Sequence, residues 1–98
     1  MNAHVYMLLC GDGSYYVGSA RGPLEDRVNK HDCGVFGGYT ATRRPVTLVF
    51  SQEFQYITDA IAAERQLKRW SRAKKEALIA GDFQLLRLLS RNRTEFPR

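Results

Sequence analysis

The chain has 98 residues, 44% of them hydrophobic and 26% charged, enough for one modest core and too little for two full domains. Fifteen Lys and Arg against ten Asp and Glu leave a net charge of +5 and a pI near 9.6, which favours polyanionic partners over acidic proteins or neutral metabolites. No apolar run exceeds six residues (Val5 to Cys10), and Met1-Asn2-Ala3-His4 is not a charged start leading into a long apolar stretch. A transmembrane helix and a signal peptide are therefore not expected, and a cytoplasmic protein without membrane contact is.

The charge is uneven: residues 1–42 hold three basic and four acidic side chains, and residues 43–98 hold twelve and six. Cys10 and Cys33 are the only cysteines. They form no CxxC pair, so neither a disulfide framework nor a closed zinc site is expected, and both thiols read as reduced.

In Ala3 to Cys10, alternation puts Val5, Met7 and Leu9 on one face and His4, Tyr6, Leu8 and Cys10 on the other, the pattern of a strand covered on both sides. Gly11-Asp12-Gly13 forces a turn, and Ser14 to Gly18 follows as a second strand, completing an antiparallel hairpin in which Tyr6 and Tyr16 are neighbours.

Gly22-Pro23 ends the extended stretch, and a proline at the first helical position followed by Leu24-Glu25-Asp26 predicts a helix over 24–33. Leu24, Arg27, Val28 and His31 form one stripe along it, so two polar residues stand where a core helix is ordinarily apolar. Gly34, Gly37 and Gly38 open a loop through Tyr39 to Arg44, and Pro45 to Phe54 reads as a third strand.

Thr58-Asp59 is a cap signal for a second helix with Ala60, Ile61, Ala63 and Leu67 on its apolar stripe and Glu64 among them. Ser71 caps a basic helix from Arg72 to Ala80, stopped by Gly81, and Asp82 caps a last helix carrying Phe83, Leu85, Leu86, Leu88 and Leu89. The polar stretch from Arg91 to Arg98 is expected to fray. The order ββαβαα plus a C-terminal helix predicts an α+β fold, a small three-stranded antiparallel sheet flanked by helices. A single domain is expected over residues 1–98, with its core in 3–80, the last helix at about 82–91 and a tail at 92–98.

The inward polar residues Tyr6, Tyr16, Arg27, His31 and Glu64 mark the candidate active surface. Leaving a buried carboxylate unpaired costs several kcal/mol, so Glu64 must be paired, protonated or used to hold a cation. Simpler readings exist for each residue. The tyrosines could be ordinary strand aromatics, Arg27 and His31 could edge a core stripe with the arginine snorkelling, and Glu64 could pair with Lys68 four residues on. Each explains one position or two and none explains five.

Two tyrosine motifs ten residues apart, His4-Val5-Tyr6 and Tyr16-Val17-Gly18, resemble the pair that names the GIY-YIG nuclease superfamily. Leu24-Glu25-Asp26-Arg27 with His31 four residues later is similar to the helix after the second motif, and Ala60 to Lys75, around ERQLKRWSRAKKEAL, resembles small stand-alone bacterial members. The resemblance spans roughly residues 3–80. It implies a metal-dependent phosphodiesterase fold, with Tyr6 and Tyr16 as the motif tyrosines, Arg27 as the catalytic arginine, His31 at the helix position filled by His or Tyr, and Glu64 as the metal-binding glutamate. Two positions depart from the pattern. His4 replaces the first glycine, and Ser19 stands where some repair members carry a lysine, which leaves Arg21 or Arg43 to supply that charge. Tyr39 is matched to a further active-site position.

The implied chemistry is hydrolysis of DNA by one Mg²⁺ or Mn²⁺ at Glu64, shared with the scissile phosphate, while Arg27 clamps a non-bridging oxygen and Tyr16 completes the hydrogen bonding. Tyr6 or His31 acts on the attacking water; an unperturbed phenol, with a pKa near 10, is a poor base at neutral pH, and the sequence leaves that choice open. DNA contacts are expected from Arg21, Tyr39, Arg43, Arg44, Lys68, Arg72, Lys74 and Lys75, the helical cations among them reading as a solvated face. Trp70 within that run reads as a helix anchor before it reads as a base-stacking platform. The expected function is a DNA endonuclease in repair or processing. The alternatives are a catalytically weak nucleic-acid-binding module of the same fold and a protein-interaction domain whose charge serves solubility.

Overall fold

The computed structural model describes residues 2–22, 28 and 42–91, which fall into two compact units divided between Lys68 and Arg69.

The first unit is a three-stranded antiparallel sheet with one helix described on it. Strands β1 (Ala3–Leu9), β2 (Tyr15–Arg21) and β3 (Thr47–Phe54) lie in the order β2-β1-β3. The central position of β1 explains why both of its faces are apolar: Val5, Tyr6, Met7 and Leu8 are all fully buried. In the hairpin turn the Cys10 amide donates to the Ser14 carbonyl at 2.8 Å, and the Asp12 carboxylate accepts from the Ser14 amide at 3.0 Å and its hydroxyl at 2.6 Å, a local bond pattern that Asp favours in turns.

The end of β1 and the start of β2 each fall one residue from expectation, and two strand bounds differ by more. β2 continues past Gly18 to Arg21, because β1 offers it partners as far as the Ala3↔Arg21 pair. β3 begins at Thr47 and not at Pro45, as fits a residue with no N–H to give a ladder.

One face of the sheet gathers Tyr6, Leu8, Cys10, Ala20 and Val46, with Tyr16 and Val28 packed against them. Helix α1 (Ile57–Lys68) packs on β2 and β1 and engages the other face through Ser19. Its buried and half-buried positions are Ile57, Ala60, Ile61, Ala63, Glu64 and Leu67, a stripe at helical spacing. The helix starts one residue before the expected cap. The Tyr56 carbonyl accepts from the amides of Asp59 and Ala60 at 3.1 and 3.3 Å, so Thr58 and Asp59 lie within the first turn, where an acid suits the helix dipole.

In the second unit, α2 (Arg72–Ala80) has Ser71 as N-cap, its hydroxyl accepting from the Lys74 amide at 3.2 Å, and ends at Gly81 with φ of 73°. Helix α3 (Phe83–Arg91) is capped by Asp82, whose carboxylate accepts from the Leu85 amide at 3.0 Å. These match the expected starts and stops.

Of the helix expected over 24–33, Val28 alone is described; it is helical and half-buried against the tyrosine face. The rest of that helix, the loop through Tyr39 and the tail at 92–98 lie outside the described residues. Cys10 is a buried thiol outside any disulfide, and Cys33 is not among the described residues. Among the described residues no helix is long and apolar enough to cross a membrane.

Candidate active site

The tyrosine pair is built by the hairpin register. Tyr6 sits opposite Gly18, and Tyr16 precedes Gly18 by two residues, so all three belong to one face of the ladder. The Tyr6 ring is 1% exposed, and its centroid lies 6.4 Å from that of Tyr16 with the planes tilted by 43°. A Cβ on Gly18 would come within 2.5 Å of the Tyr6 hydroxyl and 3.1 Å of Tyr16 Cε2. Gly18 is thus the space into which the first phenol fits, a role invisible in the bare motif.

Glu64 projects from the buried stripe of α1 toward β2. The Ser19 hydroxyl donates to its Oε1 at 2.5 Å, and the Lys68 ammonium lies 2.8 Å from its Oε2. Its side chain is 19% exposed, that of Lys68 51%. Burial alone would push the Glu64 carboxyl up; the hydrogen bonds from Lys68 and Ser19, with the charges of Lys68 and Arg65, outweigh it and hold the group below its ordinary range. Lys68 is correspondingly raised, chiefly by its hydrogen bond to Glu64, and the Tyr16 phenol adds to that rise.

The structure therefore joins the expected residues in two sets. Tyr6 and Tyr16 meet on one face of the hairpin, Glu64 and Lys68 meet Ser19 on the other, and β2, an edge strand, carries one member of each. The sequence marks Ser19 only as standing where some family members carry a lysine, three residues after Tyr16; its role as a hydrogen-bond partner of Glu64 is what sequence reasoning misses.

Glu64 is a lone carboxylate: among the described residues no group of three or more His, Cys, Asp or Glu could enclose a metal. One ionised, half-buried carboxylate fits a hard divalent ion that completes its shell with water and phosphate oxygens, and does not fit a closed structural zinc site.

The expected DNA-contacting residues are placed unevenly. Arg21 is exposed at the end of β2. Arg43 lies 3.0 Å from Asp12 and donates to the Thr42 hydroxyl at 3.3 Å, and the Gly11 amide donates to its carbonyl at 2.6 Å, fastening Arg43 and the exposed Arg44 beside the hairpin turn. Arg72 pairs with Glu76 at 3.1 Å. The fully solvated basic face expected on α2 is corrected at Lys74, which is 6% exposed with its ammonium 4.4 Å from the Trp70 ring centroid; an aromatic face accommodates a desolvated cation. Lys75 is half-buried, and burial lowers its pKa. Arg27, His31 and Tyr39 lie outside the described residues.

The GIY-YIG catalytic domain matches residues 2–77. The chain is 40% identical over 77 residues to a UPF0213 protein of Staphylococcus saprophyticus, covering 79% of this chain and 93% of that one. It is 41% identical over 76 residues to a UPF0213 protein of Halobacterium salinarum, covering 78% and 97%. Two solution structures are similar in fold. The UPF0213 protein from Bacillus halodurans has a TM-score of 0.53 at 39% identity, over 82% of this chain and 84% of that one. A protein from E. faecalis has a TM-score of 0.57 at 36% identity, over 87% and 88%. The chain belongs to the GIY-YIG domain family, a membership that implies nuclease activity and nucleic-acid binding in general.

Proposed function

We propose that this chain is a metal-dependent endonuclease that hydrolyses DNA phosphodiester bonds, acting on single-stranded or structured DNA in repair or processing. The observation that carries the reading is a helix carboxylate kept ionised against the strand that bears Tyr16: Glu64 of α1, held by Ser19 of β2 and by Lys68.

Hydrolysis needs an attacking water, a place for charge on the phosphoryl oxygens and help for the departing oxyanion. Mg²⁺ or Mn²⁺ held at Glu64 supplies positive charge to those oxygens when bound. Arg27 donates to a non-bridging oxygen, as suits a planar, permanently charged fork. Tyr16 donates a hydrogen bond to the phosphate, and Tyr6 or His31 takes the proton of the water. Arg21, Arg43, Arg44, Arg72 and Lys75 steer the polyanion.

A second reading, a nucleic-acid-binding module with weak catalysis, is favoured by one observation: each oxygen of Glu64 already has a donor. Incubating single-stranded, duplex and branched DNA with Mg²⁺ or Mn²⁺ and the wild type, Glu64→Ala or Arg27→Ala separates the two. The endonuclease reading expects metal-dependent nicking that falls at least about a hundredfold in both variants. Binding without nicking establishes the weak module. Nicking that survives both substitutions means that the residues are wrongly assigned or that the preparation carries another nuclease, and repeating the assay on a mock purification decides which.

A further inference from the structure

Building on the endonuclease reading, we propose that Lys68 is a phosphate-binding residue held on Glu64 until a divalent cation takes that carboxylate, so that one ammonium alternates between the carboxylate and DNA.

Three observations lead there. The two oxygens of Glu64 have different partners, a neutral hydroxyl on Oε1 and an ammonium on Oε2. A cation arriving at this carboxylate leaves the Ser19 hydrogen bond intact and repels Lys68. Lys68 is also able to leave: its side chain is 51% exposed on the last turn of α1, and a four-carbon stem with a compact charge re-aims at little cost. Finally, the charge has somewhere to go. Its ammonium lies 2.8 Å from the carboxylate that, in the endonuclease reading, holds the ion shared with the scissile phosphate, whereas Arg43 is engaged by Asp12 at the hairpin turn.

The arrangement makes Lys68 a counter-ion for Glu64 in the resting protein and a phosphate ligand in the loaded one. It also makes metal binding weak in the absence of DNA, since the ion must displace an ammonium that gains a new partner only when phosphate is present.

The test is a salt titration of the binding of fluorescein-labelled single-stranded and duplex oligonucleotides, in Ca²⁺ and in EDTA, for wild type, Lys68→Met and Lys68→Arg. The expected result is that Lys68→Met flattens the plot of log affinity against log salt only in Ca²⁺, by about 0.9 for duplex and about 0.7 for single strands. Lys68→Arg restores the slope. Mn²⁺ titration of the DNA-free protein by electron paramagnetic resonance is expected to show several-fold tighter binding in Lys68→Met and loss of binding in Glu64→Ala. Equal flattening in Ca²⁺ and EDTA, no flattening in either, or an unchanged Mn²⁺ affinity overturns the alternation while leaving the endonuclease reading standing. A wild type that binds neither these oligonucleotides nor a branched DNA overturns that reading, and this proposal with it.

Discussion

Tyr6 and Gly18 face each other across the β1–β2 ladder, and the phenol of one fills the volume in which the other would carry a side chain. Tyr6 is fully buried, so its ring has little room to yield to a methyl group whose centre would lie 2.6 Å from Cζ. Gly18→Ala is therefore expected to destabilise the fold by about 1–3 kcal/mol, the usual range for overpacking. In a chain of this size that lowers the melting temperature by roughly 4–8 °C per kcal/mol. Tyr6→Leu in the Gly18→Ala background should recover part of the loss, and a double variant that melts no higher than Gly18→Ala alone would show that the ring is not the obstacle.

Glu64 gives the fold an acid sensitivity whose sign is determined. Burial raises its pKa, but the donors Lys68 and Ser19 and the charges of Lys68 and Arg65 lower it further, so the folded value lies below the ordinary 4.5. The folded state then binds fewer protons than the unfolded one, and the stabilisation is complete above that ordinary value and lost as pH falls through the depressed one. Urea unfolding of wild type and Glu64→Gln, carried from neutrality into the acid range, should show a stability difference that is constant above pH 4.5 and narrows below it. A difference that widens on acidification would contradict the assigned direction.

Asp12 and Arg43 are paired at 3.0 Å beside the hairpin turn with both side chains substantially exposed. Asp12 is lowered chiefly by its hydrogen bonds from Ser14, with Arg43 a smaller influence, so Asn, which still accepts from Ser14, should keep the turn. Asp12→Asn is expected to leave the melting temperature unchanged while releasing Arg43 toward phosphate. Oligonucleotide affinity should then rise at low salt, with a salt slope steeper by up to about 0.9. Unchanged affinity and slope would mean that Arg43 does not face the DNA.

The sequence reveals the sheet because β1 is apolar on both faces and the turn residues leave one hairpin register open; Tyr6 and Tyr16 are neighbours for that reason. It misplaces the end of β2 because a glycine ordinarily weakens a strand, whereas Gly18 is there to admit Tyr6. The Glu64-to-Lys68 spacing is visible as a helical pair, but Ser19 lies 45 residues away from Glu64 and is polar in an ordinary way, so only the packing of α1 on β2 joins them. Lys74 reads as one more cation in a solvated run, and its burial beside Trp70 is a tertiary fact that local charge pattern does not carry.

The caps of α2 allow a prediction that separates its local stability from the sheet. The Ser71 hydroxyl accepts from the Lys74 amide at 3.2 Å, and Gly81, at φ of 73° with no atom within 4 Å of its would-be Cβ, is constrained by backbone conformation alone. Ser71→Ala removes an acceptor from the first turn and should cost about 1 kcal/mol; Gly81→Ala forces an L-residue into left-handed space and should cost about the same. Because the helix lies in the second compact unit, hydrogen exchange should quicken in the amides of residues 74–81 well before those of β1 and β2. Equal acceleration in the strands would instead show that α2 and the sheet open as one cooperative body.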